Sequence, residues 1–118
     1  MLIRIGFSMF ICLFSFAVFA QETLLLRQPS VSDQAIAFAY ANDLWLVNRD
    51  GGEASRITSS PGTEANPHFS PDGKLIAFTG NYSGNAEVYV VSATGGEPRR
   101  LTWHPGDDIA CGWTADGK

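Results

Sequence analysis

The constraint that dominates this sequence is that it repeats itself with a period of 44 residues. Gly51-Gly52-Glu53 returns as Gly95-Gly96-Glu97, Ile57-Thr58 as Leu101-Thr102, and Pro61-Gly62 as Pro105-Gly106. Asp43-Leu44-Trp45-Leu46-Val47 returns as Glu87-Val88-Tyr89-Val90-Val91, and Phe69-Ser70-Pro71-Asp72-Gly73-Lys74 as Trp113-Thr114-Ala115-Asp116-Gly117-Lys118. A fixed period of this length marks supersecondary units that bury their faces by stacking on one another. One further pair, Ile36-Ala37-Phe38 and Ile76-Ala77-Phe78, is offset by 40. The difference places a four-residue insertion within Thr79 to Ala86, a connection where a longer loop is tolerated.

The repeating unit reads as β. In the complete copy, Asn66 to Ser70 predicts a short strand, followed by a turn at Ser70-Pro71-Asp72-Gly73. There Pro presets φ at the second position and Gly accepts a positive φ at the end. Leu75 to Thr79 predicts the second strand, Asn81 to Asn85 a loop, and Glu87 to Ser92 a third strand rich in Val and Tyr. After the Thr94-Gly95-Gly96 turn, Pro98 to Thr102 predicts a fourth, whose Arg99 and Arg100 suit an outer edge protected by charge.

The third strand separates the possible architectures. Val88 to Val91 and Leu44 to Val47 are apolar on both faces, whereas a half-exposed sheet alternates. Four-stranded units of 40 to 45 residues stacked face to face cover both faces, which is the blade of a β-propeller. The second strand sets large groups (Ile76, Phe78) on one face and small ones (Ala77, Thr79) on the other, as do Ile36, Phe38 and Ala37. Large groups of one blade would then fit over small groups of the next. After residue 20 no stretch carries helical apolar spacing free of Gly or Pro, and a two-sheet sandwich would not repeat its turn sequences.

The fold expected is all-β, with propeller blades of four antiparallel strands. Residues 21–59 form a first blade, 60–103 a second, and 104–118 the start of a third. Two blades cannot close a ring, so the chain is expected to be the N-terminal piece of a longer protein.

Ahead of the repeats, a start carrying only Arg4 leads into the apolar run Ile5 to Phe19, which ends at Ala20 before Gln21-Glu22. That pattern predicts a secretory signal peptide over residues 1–20 and an exported, periplasmic or extracellular product. The run is shorter than the roughly 20 apolar residues of a spanning helix. No small-residue lipobox precedes Cys12, and its removal would leave Cys111 alone, read as a small buried apolar residue. The net charge of −4 does not favour nucleic acid or an anionic membrane, both of which need a basic face.

No residue is assigned a catalytic, cofactor-binding or metal-binding role. Asp72-Gly73 and Asp116-Gly117 lack the spaced oxygen ligands of a calcium loop. The double glycines at 51–52 and 95–96 lack the spacing of a phosphate cradle. His68 and His104 are the only histidines available as general bases, each at a variable repeat position, and no serine sits in a G-x-S-x-G elbow. Trp45, Tyr89, Phe69 and Trp113 occupy repeating positions and read as core. Asn81-Tyr82-Ser83 matches a glycosylation acceptor and is given no role.

The segments FSPDGKLIAFTG and EVYVVSATGGEPRRLT resemble the repeats of TolB-type propellers. The run LLLRQPSVSDQAIAFAYANDLWLV, with the unit ending in GGEPRRLTWHPGDDIACGW, resembles the beginning of tricorn protease homologues. The resemblance covers residues 24–118 and departs from the common Ser-Pro-Asp-Gly turn at Thr114-Ala115-Asp116-Gly117. It implies an N-terminal propeller that gates or channels peptides or unfolded polypeptide toward a serine peptidase domain lying downstream, in a homo-oligomer without cofactor. The membrane would be met only during export. The other implication is a non-enzymatic TolB-type binding propeller that serves as a platform for protein partners.

Overall fold

The computed structural model describes residues 25–118, so the proposed signal sequence and Cys12 lie outside the described residues. Eight strands follow in order: β1 (Arg27–Val31), β2 (Ala35–Tyr40), β3 (Asp43–Asn48), β4 (Ser55–Arg56), β5 (Thr63–Phe69), β6 (Leu75–Asn81), β7 (Ala86–Ser92) and β8 (Arg99–Arg100). They form two four-stranded antiparallel meanders, β1-β2-β3-β4 and β5-β6-β7-β8, as expected of successive propeller blades.

The turns follow from the residues that make them. Gly73 sits at φ 70°, a left-handed conformation that favours glycine, and its N–H donates to the Ser70 carbonyl at 2.8 Å. The Ser70 hydroxyl donates to Asp72 Oδ1 at 2.6 Å, and Lys74 N–H donates to the same oxygen at 3.0 Å. The third copy builds the same turn without proline. Gly117 N–H reaches the Thr114 carbonyl at 2.9 Å, and the Thr114 hydroxyl reaches Asp116 Oδ1 at 2.6 Å. The side-chain bonds therefore carry the turn where Ala115 replaces the preset φ of proline. The double glycines occupy the β3–β4 and β7–β8 connections.

The insertion is resolved in detail. β2 and β3 end at the pair Tyr40–Asp43 and turn over Ala41 and Asn42, at φ 51° and 70°, a type I′ turn. The corresponding pair is Gly80–Glu87, but here the ladder continues to Asn81–Ala86 and closes over residues 82–85. The insertion adds one residue to each strand and two to the loop.

Three expectations change. The first strand of the second unit begins earlier, at Thr63, and the fourth strand shortens to Arg99–Arg100. Leu101 N–H still reaches the Val88 carbonyl at 2.8 Å, but Val88 N–H is taken by the Thr102 hydroxyl at 2.9 Å. A side chain thus ends the ladder, as Thr58 does for Leu44 N–H at 2.8 Å in the first unit. Cys111 is exposed rather than buried. Ala110 takes the inward position, its N–H on Thr79 Oγ1 at 3.0 Å, while the Cys111 thiol reaches back to the Ile109 carbonyl at 3.4 Å.

The core lies between the two sheets. Ala37 and Ala39 of β2, with Leu44 and Leu46 of β3, face Ile76 and Phe78 of β6 and Val91 and Tyr89 of β7. Ala37, Leu44, Ile76 and Phe78 are fully buried. Phe78 stacks on Tyr89 with ring centroids 5.7 Å apart. The small face of one sheet thus receives the large face of the next. Of the repeating aromatics, Phe69 and Tyr89 border this core, and Trp45 lies on the opposite face of the first sheet, edge-on to Tyr40. Trp113 caps the second sheet, its indole N–H on the His68 carbonyl at 2.8 Å.

Enlarging the small partner should be felt at once. Ala37→Leu is expected to destabilise by about 1–3 kcal/mol through overpacking, and Phe78→Ala by about 3–5 kcal/mol through the cavity it leaves. Urea unfolding followed by tryptophan fluorescence measures both, and an unchanged midpoint for Ala37→Leu would contradict the interlocking described.

Candidate functional site

β5 packs against β1, β2 and β3, whereas among the described residues β4 and β8 touch no strand of the other sheet. The sheets therefore converge at β1 and β5 and splay apart at β4 and β8. In a propeller the converging first strands lie next to the central channel.

Both first strands carry the same irregularity. The β1–β2 register slips between Arg27 and Ser30, and the β5–β6 register between Ala65 and His68. Each β-bulge holds a polar amide followed by proline: Gln28-Pro29 and Asn66-Pro67. Gln28 sits at φ 53° and Asn66 at φ 52°, in the left-handed region. Such backbone costs about 1–3 kcal/mol per residue and persists where its surroundings enforce it. Here the two side chains enforce it together. Gln28 Nε2 donates to Asn66 Oδ1, Asn66 N–H donates to Gln28 Oε1 at 3.0 Å, and Asn66 Nδ2 reaches Thr79 Oγ1 at 3.3 Å. One step along, the Ser30 hydroxyl accepts from Phe69 N–H at 3.0 Å. Sequence reasoning missed this pair, although a polar amide before proline in the first strand of each unit was its visible trace.

A cleft of about 270 Å³ opens beside the amide pair, lined by Leu25, Arg27, Gln28, Tyr40, Thr63 and Glu64 among others. At the opposite strand ends a polar cleft of about 530 Å³ lies between the β1–β2 and β5–β6 turns, with Asp33, Arg49, Asp72 and Lys74 on its walls. The Ser70 hydroxyl, and then the Lys74 backbone N–H, hold the Asp72 carboxyl below its ordinary value, so it faces this cleft as an anion.

The seam between the sheets is closed by a carboxylate. Glu64, 1% exposed, accepts from the Thr58 hydroxyl and from Tyr82 Oη, the latter at 2.6 Å. Tyr82 belongs to the inserted loop and folds back over Gly80, whose backbone it approaches so closely that a Cβ there would stand 2.8 Å from the ring. Tyr82 also meets Tyr89 edge-on at 4.8 Å. Burial, and then the bond to Glu64, push the Tyr82 hydroxyl well above the ordinary tyrosine value, so it remains a donor. In the second unit the equivalent threonine, Thr102, donates instead to Glu87, which also pairs with Arg100 and accepts from Asn85 at 2.9 Å. The Thr102 hydroxyl first, then Arg100 and Asn85, hold the Glu87 carboxyl below its ordinary value against the opposing effect of burial.

Among the described residues, neither histidine is hydrogen-bonded to a nucleophile. His68 is half-buried on β5, and its carbonyl is held by Trp113. His104 is exposed in the connection after β8, and its Nδ1 accepts from Gly106 N–H at 3.0 Å. Asn81 and Ser83 are exposed at the insertion, while Tyr82 between them is seated in the seam.

Residues 23–118 match the family described as the tricorn protease N-terminal β-propeller domain. The chain is similar to tricorn protease homolog 1 of Streptomyces coelicolor, with 38% identity over 94 residues, 79% of this chain and 9% of that protein. It is also similar to a TolB homolog of Chlorobium luteolum, 38% identical over 55 residues, 47% of this chain and 13% of that protein. Among solved structures, the tricorn protease superposes with a TM-score of 0.69 at 28% identity, covering 79% of this chain and 10% of the other. A putative TolB from Agrobacterium tumefaciens superposes with a TM-score of 0.70 at 25% identity, covering 80% and 36%.

Two predictions come from the seam. Tyr82→Phe removes one of the two side-chain donors to a buried carboxylate and is expected to cost about 1–3 kcal/mol in urea unfolding. Gly80→Ala, which leaves the donor in place but displaces its ring, should lower stability as well. The second concerns acid. A carboxyl with a depressed folded value adds stability above its unfolded value, about 4.3 for Glu, and that stability is lost as pH falls through the lower folded value. Thr102→Val removes the main cause of the depression at Glu87, so its acid unfolding should begin at higher pH than wild type. A coincident acid transition in the two proteins would contradict that role for Thr102.

Proposed function

This chain belongs to the tricorn protease N-terminal β-propeller family, and from that membership we propose that it is the entry propeller of an exported, tricorn-like serine protease. It would admit and channel peptides or unfolded polypeptide toward a peptidase domain carried elsewhere in the protein. The observation that carries this reading is that the family match begins at residue 23, directly after the apolar run that ends at Ala20. A secretory signal ahead of this propeller accounts for both features. Within this reading residues 21–59 and 60–103 are successive blades and 104–118 opens the next. The parent protein is a homo-oligomer, and the propeller itself uses no cofactor and contacts neither nucleic acid nor, after export, the membrane.

The chain spans 9% and 13% of the length of the two curated relatives named above, so in this reading the activity belongs to the longer protein. The TolB similarity favours a second reading, a periplasmic propeller that binds protein partners without hydrolysis. One experiment separates the two. The full-length protein is purified from the cell envelope fraction, its N-terminus sequenced, and unfolded casein offered with and without a serine-directed inhibitor. An N-terminus at Gln21 with inhibitor-sensitive proteolysis is expected. The same N-terminus without proteolysis would replace the protease reading with the binding propeller, and a protein retained in the cytoplasm with Met1 intact would overturn export in both.

A further inference from the structure

We propose that the paired amides of Gln28 and Asn66 form a rung beside the propeller axis that recognises the peptide backbone itself, independent of side-chain identity. The proposal rests on the polypeptide-channelling reading and names the contact by which such a chain would be held.

A primary amide offers two N–H donors and a carbonyl with two lone pairs. Gln28 uses one N–H on Asn66 Oδ1 and one lone pair on Asn66 N–H, and Asn66 uses one side-chain N–H on Thr79 Oγ1. One donor and one acceptor remain on each side chain. The bond to Thr79 fixes which way the Asn66 amide points, and through it the Gln28 amide. The result is an oriented donor–acceptor pair, the complement of a peptide C=O and N–H. Both residues are uncharged, so the pair selects neither acidic nor basic side chains.

Pro29 and Pro67 follow the two amides and carry no backbone N–H. At this level β1 and β5 cannot accept an added strand by continuous backbone pairing, the mode by which sheet edges usually capture peptides. What they offer a passing chain is the side-chain rung, with the cleft of about 270 Å³ next to Gln28. A chain held by a few neutral hydrogen bonds is retained briefly and can advance, whereas one zipped onto a strand edge would stall.

The test uses the full-length protein and two dansyl-labelled decapeptides of alternating Gly and Ser, one with an ordinary backbone and one N-methylated at every second residue. Fluorescence anisotropy reads the dissociation constants. N-methylation is expected to weaken binding to the wild-type protein by about tenfold, as loss of a paired donor implies. Asn66→Gly keeps the backbone N–H and tolerates the positive φ while deleting the rung, and is expected to bind both peptides alike within about twofold. Gln28→Leu, matched to wild type in melting temperature, should behave as Asn66→Gly does. Equal binding of the two peptides by wild type, or full discrimination retained by Asn66→Gly, would overturn the rung while leaving channelling intact. Failure of wild type to bind either peptide would overturn the channelling reading with it.

Discussion

The contact on which the rest of this structure depends is the seating of Ile76 and Phe78 over Ala37 and Ala39. A four-stranded meander has no core of its own, because its side chains point up and down and each face must find a cover. Here the cover is the next copy of the same meander. Asymmetry makes that possible, since two large faces would clash and two small ones would leave a void. β2 and β6 each present one small and one large face, so every copy can both receive and insert. The same logic continues past the second sheet. Ala77 and Thr79 form its small face, and Ala110 is already buried there with its N–H on Thr79. The chain after β8 is placed as β5 was, Asp108 N–H reaching the Ala86 carbonyl at 2.8 Å as Glu64 N–H reaches that of Asn42 at 2.9 Å.

Apolar stacking alone would let the sheets slide, and the polar seam sets their register. Thr58 and Thr102 occupy equivalent positions and each closes a ladder with its hydroxyl oxygen. Their protons go to different carboxylates. Thr58 bridges to Glu64 of the following sheet, whereas Thr102 stays within its own sheet on Glu87. The first unit's counterpart of Glu87 is Asp43, which holds Arg56 at 3.2 Å on the surface, a pairing worth little. One repeat position therefore serves as an inter-sheet bolt in one copy and an intra-sheet brace in the next. The difference follows the carboxylates, since Glu64 has Asp108 as its counterpart in the next copy and Glu87 has Asp43 in the preceding one, and Tyr82 adds a second side-chain donor to Glu64.

How far the sequence discloses this depends on whether a feature is periodic. The 44-residue period, the Asp-Gly turns and the small-large faces all follow from residues that recur, and each carries its own local physics. Even the Thr114-Ala115-Asp116-Gly117 variant keeps the turn, because Thr and Asp preserve the hydrogen bonds. The departures come from residues that do not recur. Tyr82 appears once, in a loop that reads as tolerated length, and its partners Glu64 and Gly80 lie 18 and two residues away with no spacing rule to join them. Cys111 resembles a small core residue until the neighbouring Ala110 is found to take the inward position. Gln28 and Asn66 fall 38 residues apart, outside both observed periods, because the turn between Phe69 and Ile76 is two residues longer than the turn between Val31 and Ile36.

That last departure bears on function more than the others. The outer strands here are two-residue edges, whereas the first strands carry the bulges and the amide pair. An undisturbed β1 and β5 would turn their strand edges toward the axis, a template for any extended polypeptide. The bulges remove that template and replace it with fixed amides at a cost in backbone strain. A strand edge binds a chain at many points at once and releases it slowly. A rung binds it at one point and releases it quickly. On the channelling proposed above, the second is the useful property, and the Gln28-Pro29 and Asn66-Pro67 pairs, with their left-handed backbone at Gln28 and Asn66, would be the local means of obtaining it.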